Sequence, residues 1–288
     1  MIKSIKASIS EKILFIFLIS LAIFIFTSFF LLKNKCLFVE KNRLSKLNFN
    51  KPAVFNFKND AAIINNIPKK KFIISQDTIS ENVHFFSGDS AKSIALKSIR
   101  TNLSDLMSMG AKPYAYTMSL SLNKKVDHSW LKNFTSYLYK EQKKYNFFLL
   151  GGDIVSNSNI SITISILGTV DKAITIRRDG AKKNDDIWLT GNIGDSLIGL
   201  KVVKKEIGIK EKKIKDYFKN SYFFPKPPIL IGQKLNKLMS SAIDISDGLC
   251  GDLEKIIINS GKGAQIYTRL IPFSKNTKNI INKKTVSL

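Results

Sequence analysis

Apolar residues recur along this chain in three patterns, and each predicts a different kind of element. Ile94, Ala95, Ile99, Leu103 and Leu106 stand at helical spacing, so residues 91–109 are predicted to be a helix, with 129–145 a second one. Alternation from Tyr114 to Leu122, and again from Ile160 to Val170, predicts half-buried strands. The short apolar runs Phe72–Ser75 and Phe147–Leu150 predict two more, the latter ending abruptly at Gly151-Gly152-Asp153. Asp186–Thr190 reads as a strand running into Gly191-Asn192-Ile193-Gly194 and a helix from Asp195. Pro225, Pro227 and Pro228 break the chain before a helix near 229–239. The order predicts an α+β fold in two domains, 51–170 and 171–288.

Residues 1–50 differ in texture. Residues 13–32 are apolar apart from Ser20, Thr27 and Ser28, a run long enough to cross a bilayer as a helix. Lys33, Lys35, Lys41, Arg43 and Lys46 outnumber Lys3, Lys6 and Lys12 before it, so such an anchor would tether the downstream domains to the cytoplasmic face. The competing readings are a buried apolar helix and an upstream extension foreign to the mature protein.

Composition narrows the chemistry by exclusion. The 46 Lys and Arg against 22 Asp and Glu give a net charge of +24, which taken alone suggests nucleic acid or an anionic membrane. The lysines are scattered, as in Lys69-Lys70-Lys71 and Lys283-Lys284, without a basic stripe interleaved with aromatics, and this argues against nucleic acid. Cys36, Cys250, His84 and His128 fit no soft-metal spacing. Neither a G-x-x-x-x-G-K-[ST] loop nor a G-x-G-x-x-G turn occurs, and no G-x-S-x-G elbow suggests a covalent nucleophile.

Acidic residues are scarce, so those in apolar, glycine-bordered settings are informative. Five places stand out: Asn59-Asp60-Ala61-Ala62, Ser75-Gln76-Asp77-Thr78, Asn102-Leu103-Ser104-Asp105, Gly151-Gly152-Asp153 and Asp244-Ile245-Ser246-Asp247-Gly248. Each alone is explained as a helix cap or turn former. If several converge in one cleft, their repulsion calls for hard cations, and magnesium shared with phosphate oxygens is the natural choice. An ATP-dependent phosphotransferase is the chemistry such a cluster serves.

These segments, in this order, resemble the thiamine-monophosphate kinase family of the aminoimidazole-ribonucleotide-synthetase-like ATP-binding superfamily. The resemblance extends through Met109-Gly110-Ala111, Arg178-Asp179-Gly180-Ala181, Leu189-Thr190-Gly191 and Gly194-Asp195-Ser196 to Ala242–Gly248. It implies a two-domain fold whose N-terminal sheet forms a homodimer and whose second domain is α/β. It implies ATP as co-substrate and thiamine monophosphate as acceptor, with direct in-line transfer. Magnesium ligands are implied at Asp60, Ser75, Asp77, Asp105, Asp153, Asp244 and Asp247, with a backbone oxygen from Gln76. ATP contacts are implied at Gly152, Asp153, Arg178 and Ser246, charge stabilisation at Arg178, and a thiamine phosphate contact at His84.

Departures from the family pattern set the alternatives. Asn59 stands where the family has a second aspartate, and Ile154 replaces a common threonine. The chain stops at Leu288, short of the S-G-G-[ED]-D-Y segment, so 171–288 is expected to be an incomplete domain. A truncated nucleotide-binding remnant, or another enzyme of the superfamily such as a selenophosphate synthetase or hydrogenase-maturation protein, is the competing reading.

Overall fold

The alternation in residues 160–170 is the key to the architecture, because it puts one residue in two against a helical layer. In the computed structural model, which describes residues 45–48, 51, 64, 67–171, 176–229, 231, 234 and 237–282, this segment is a central strand. The four strands are β1 (Lys70–Ser80), β2 (Lys112–Leu122), β3 (Phe148–Ser156) and β4 (Ser161–Asp171). They form one sheet in the order β1-β4-β2-β3. Pairs β1–β4 and β4–β2 are antiparallel, and β2–β3 is parallel. A parallel neighbour needs a crossover, and helix α2 (His128–Tyr145) supplies it.

Helix α1 (Ala91–Ser108) packs on β1, β4 and β2 and against α2. Its stripe of Ile94, Ala95, Ile99, Leu103 and Leu106 is buried, as are Ile162, Ile164 and Ile166 of β4 and Tyr116, Met118 and Leu120 of β2. Ser90 caps its N-terminus, accepting the amide of Ser93 at 3.1 Å. The opposite face of the sheet is largely polar. There Thr78 bonds Thr163 (2.8 Å), Ser80 bonds Ser161 (3.0 Å) and Ser165 donates to Gln76 (2.5 Å).

Two strands run further than their apolar runs predict. β1 continues through Ser75-Gln76-Asp77-Thr78 because each residue has a partner on β4. β3 does not stop at Gly151-Gly152-Asp153, which pair with Thr117, Met118 and Ser119. A β-carbon on Gly152 would lie 1.8 Å from the Met118 carbonyl oxygen, so this close approach requires glycine.

The second half is helical: α3 (Asp195–Val203), α4 (Lys212–Phe223), α5 (Leu249–Ser260) and α6 (Lys275–Asn282). Ile198, Val202, Phe218 and Ile280 form its small apolar cluster. The buried Asp195 carboxylate ties three elements together, accepting from Tyr217 (2.5 Å), Ser274 (2.7 Å) and Thr277 (2.5 Å). The strand expected at Asp186–Thr190 is not formed, because no described segment pairs with it, and Trp188 is left 89% exposed.

Arg100 of α1 links the halves. It donates to Glu141 of α2 at 2.9 and 2.7 Å and to the Pro225 carbonyl at 2.8 Å. The apolar run 13–32 and Asp60 lie outside the described residues. Among the described residues no helix is long and apolar enough to cross a membrane.

Candidate active site

Period-two geometry turns Ser75 and Asp77 of β1 to the helical side of the sheet, and β1 is an edge strand. Helical periodicity brings Asp105, near the end of α1, over that edge, where it accepts a hydrogen bond from the Ser75 hydroxyl. Burial raises the Asp105 carboxyl to about 6; the Ser75 bond opposes this, the charges of Asp244 and Asp77 add to it, and Arg178 opposes it. Burial also raises Asp244, against a hydrogen bond from Ser104, with Asp252 reinforcing the rise and Arg178 opposing it. Four of the expected acceptors, Ser75, Asp77, Asp105 and Asp244, therefore act on one locus, with Arg178 beside them.

A cavity of about 490 Å³ opens there, lined by Ser75, Asp105, Arg177, Arg178, Asp179 and Asn259 among others. The backbone behind Arg178 is fixed by hydroxyls. Its carbonyl accepts from Ser241 at 3.0 Å and Ser260 at 3.1 Å, and Ser241 also bonds the Arg177 carbonyl at 2.9 Å. The Arg177 guanidinium is taken by Asp179 at 2.9 and 2.5 Å, leaving Arg178 as the arginine that faces the carboxylates.

The turn carrying Ser246 and Asp247 is shaped by a residue that sequence reading missed. Asp252, 1% exposed, accepts the amides of Ser246 (2.9 Å), Asp247 (2.9 Å) and Gly248 (3.2 Å) on one oxygen, and Lys255 (2.8 Å) on the other. Burial alone would raise this carboxyl, but Lys255 and the amides hold it below its usual value. Gly248 has φ of +110°, a conformation strained for any side chain. An aspartate in the first turn of an apolar helix, just after such a glycine, was the available signal. Asp247 itself projects into solvent and pairs with Lys255 at 2.6 Å.

Other expected residues stand apart. Asp153 lies on β3, at the sheet edge opposite β1, and accepts the Ile154 amide at 2.8 Å. Two strands intervene, so β1 and β3 are about 14 Å apart at normal strand spacing. The Gln76 side chain is on the open face. His84 is exposed beyond the end of β1, its Nδ1 accepting the Ser80 amide at 3.1 Å, and it does not line the cavity. Among the described residues no three His, Cys, Asp or Glu side chains stand close enough to enclose a metal ion.

Residues 58–170 match the family model described as AIR synthase related protein, N-terminal domain. The chain is 42% identical over 217 residues to a thiamine-monophosphate kinase of Buchnera aphidicola subsp. Schizaphis graminum, covering 75% of this chain and 66% of the relative. It is 31% identical over 208 residues to that of Leptospira interrogans serogroup Icterohaemorrhagiae serovar Lai, covering 71% and 67%. Its fold superposes on the thiamine-monophosphate kinase of Stenotrophomonas maltophilia K279a with a TM-score of 0.77 at 25% identity, covering 85% of this chain and 78% of that one. AaThiL complexed with AMPPCP and TMP superposes with a TM-score of 0.71 at 24% identity, covering 83% and 75%. The match thus spans 66% of the length of the Buchnera relative.

Proposed function

This chain belongs to the thiamine-monophosphate kinase family, and on that premise we propose that it transfers the γ-phosphoryl group of ATP to the phosphate of thiamine monophosphate. The observation that carries this reading is a cavity lined by Ser75, Asp105 and Arg178, with the charges of Asp77 and Asp244 acting on Asp105. A phosphate oxygen of the acceptor forms the new bond to the γ-phosphorus in line, the bond to the β,γ-bridging oxygen breaks, and ADP leaves. A phosphate monoester is largely ionised at neutral pH, so the acceptor needs no covalent nucleophile and little help from a base. The relative solved with AMPPCP and TMP supports the choice of nucleotide and acceptor.

The donor chemistry fits magnesium, while the described carboxylates do not by themselves enclose an ion. The donors are all hard oxygens, and Asp105 has its carboxyl raised partly by its acidic neighbours, a repulsion that a divalent cation relieves. Asp105, Asp77, Asp244 and Ser75 would hold it, with Asp60, Asp247, Asp153 and the Gln76 carbonyl as the remaining proposed ligands. Bound there, magnesium would neutralise charge on the phosphate oxygens. Arg178 is assigned to the charge developing on the transferred group, and Gly152 and Ser246 to the nucleotide. His84 is assigned to the thiamine phosphate.

The position of Asp153 supports a homodimer. Within one chain it lies across the sheet from Asp105, whereas a second copy meeting the open sheet faces and edges would bring its β3 toward this chain's β1.

The test is formation of thiamine diphosphate from thiamine monophosphate, with ATP and magnesium. We expect product from the wild type and its loss in Arg178→Met and Asp244→Asn. Magnesium-dependent nucleotide binding without product would replace the kinase with a binding protein.

A further inference from the structure

Two arginines stand side by side at the cavity: Arg178 faces the carboxylates, whereas Arg177 is tied to Asp179. The turn that carries them is clamped from behind. The Arg177 carbonyl accepts from the Ser241 hydroxyl at 2.9 Å and the Ala242 amide at 3.4 Å, and the Ala181 amide donates to the Ser260 hydroxyl at 3.2 Å. A β-carbon on Gly180 would lie 2.0 Å from the Ser240 carbonyl oxygen, so the turn sits flush on that segment. The backbone is thus fixed, while the side chains of Arg177 and Asp179, both lining the cavity, are 66% and 40% exposed. Their two-point contact presents the Arg177 guanidinium in the fork geometry that also suits a phosphate. Exposed ion pairs contribute little, so one anionic partner is readily exchanged for another.

We propose that Arg177 is a second phosphate-binding arginine of this cavity, and that Asp179 is the internal anion from which the phosphate chain of the nucleotide takes it. The inference rests on the kinase reading for the identity of the ligand. Asp105 and Asp179 in the lining, with the charges of Asp77 and Asp244 acting on Asp105, repel an anion, and Arg178 alone does not offset them. Turning Arg177 from Asp179 to the ligand brings a second guanidinium against the phosphates without moving the backbone. With Arg178 assigned to the transferred group, the remaining phosphates fall to Arg177, whose α-carbon is about 3.8 Å away. Thiamine monophosphate carries a single phosphate, whereas ATP presents three in a row, so the nucleotide is the ligand with oxygens for both arginines. Removing the charge of Asp179 frees Arg177, and nucleotide binds more tightly. Removing Arg177 leaves one guanidinium for the whole chain of phosphates, and nucleotide binds less tightly.

The test is binding rather than turnover. AMPPCP is titrated into the whole chain by calorimetry, with magnesium in constant excess and about 0.15 M salt to screen distant charges. Arg177→Met is expected to raise the dissociation constant about three- to tenfold. Arg177→Lys is expected to keep part of the affinity, since the charge remains and the fork is lost. Asp179→Asn is expected to lower the constant about two- to fivefold, the range of an exposed ion pair. Added to Arg177→Met, it is expected to give little further gain, because Asp179 acts through Arg177. Both side chains are exposed, so far-ultraviolet circular dichroism is expected to be unchanged in every variant. An undiminished affinity in Arg177→Met, or the same gain from Asp179→Asn with and without Arg177, overturns the inference while the kinase reading stands. So does a loss in Arg177→Met confined to thiamine monophosphate. Absence of any AMPPCP binding in the wild type overturns both.

Discussion

The two halves of the described chain use their acidic residues in opposite ways. In residues 70–171 the fold is held by apolar packing between the sheet and α1 and α2, and the acids near Ser75 contribute little to it. Ile99, Leu103 and Leu106 are wholly buried there, while Asp105 carries a raised carboxyl that burial penalises. In residues 176–282 the apolar cluster is small, and buried carboxylates act as cross-links: Asp195 collects three hydroxyls and Asp252 three amides. Asp105 in the first half is thus kept against stability, and Asp195 and Asp252 in the second because of it, while Asp244, raised by burial, sides with Asp105. The difference separates catalysis from architecture more sharply than the motifs alone do.

The largest expected effect comes from removing charge where it costs stability. Asp105→Asn should lower turnover by about a thousandfold or more, as loss of a metal and phosphate ligand does. The same variant should be more stable than the wild type in the absence of metal. The folded carboxyl titrates at about 6, above its unfolded value, so its ionisation costs stability progressively as pH rises through that range. The gain in urea midpoint should therefore be full at pH 8, reduced at pH 5 and gone below about pH 4, the ordinary carboxyl range. A variant that loses stability at pH 8 would place Asp105 among the architectural acids.

Next in size is the link between the halves. Arg100 and Glu141 are 14% and 6% exposed, so deleting one partner leaves a buried charge uncompensated. Arg100→Met should cost about 3–5 kcal/mol in urea denaturation, and most of that should return when Glu141→Leu is added. If the double variant is no better than the single, the Pro225 carbonyl is the dominant partner of Arg100.

Most of the first half is legible from the amino acids because packing imposes a period. Residues 91–109 and 129–145 are α1 and α2 within a residue or so, and the alternating runs 114–122 and 160–170 are β2 and β4. The polar continuation of β1 and the passage of β3 through Gly151-Gly152-Asp153 were not legible, since both depend on a neighbouring strand. The same reason defeats the strand expected at 186–190, which has the local pattern and no partner. In the site, the acids on periodic elements, Asp77 and Asp105, came together with Asp244. Asp153 did not, because strand order, which no local pattern encodes, puts β3 at the far edge. Asp252 escaped notice because its role lies in backbone amides, and its place in the first turn of α5 after Gly248 is the one sign of it in the sequence.

A smaller effect tests the other side of the comparison. Asp195→Asn keeps the shape of the side chain but replaces a charged acceptor of three hydroxyls with a neutral one, and should cost about 2 kcal/mol. Hydrogen exchange should quicken in α3, α4 and α6 while the sheet is unchanged. Equal loss of protection in both halves would mean that they unfold as one unit and that Asp195 supports the whole.

The smallest expected effect concerns Glu81, a buried acid of the first half that, like Asp252 in the second, accepts a backbone amide. Glu81, just beyond β1, accepts the Ile160 amide at 2.9 Å and the Asn123 side chain at 3.0 Å, joining the ends of β1, β4 and β2. The Ile160 bond is the main cause of a carboxyl held below its usual value; Ser87, Lys125 and Asn123 add to it, and burial opposes. A lowered carboxyl contributes stability that is present above its unfolded value and lost as pH falls through its folded one. Glu81→Gln should therefore flatten the decline in melting temperature below about pH 4.5, while lowering it slightly at pH 7. The opposite pH signs at Glu81 and Asp105, within one domain, would show that the division follows what a carboxylate accepts rather than which half contains it. If both variants shift stability the same way with pH, hydrogen bonding to amides is not what distinguishes them, and the comparison reduces to burial alone.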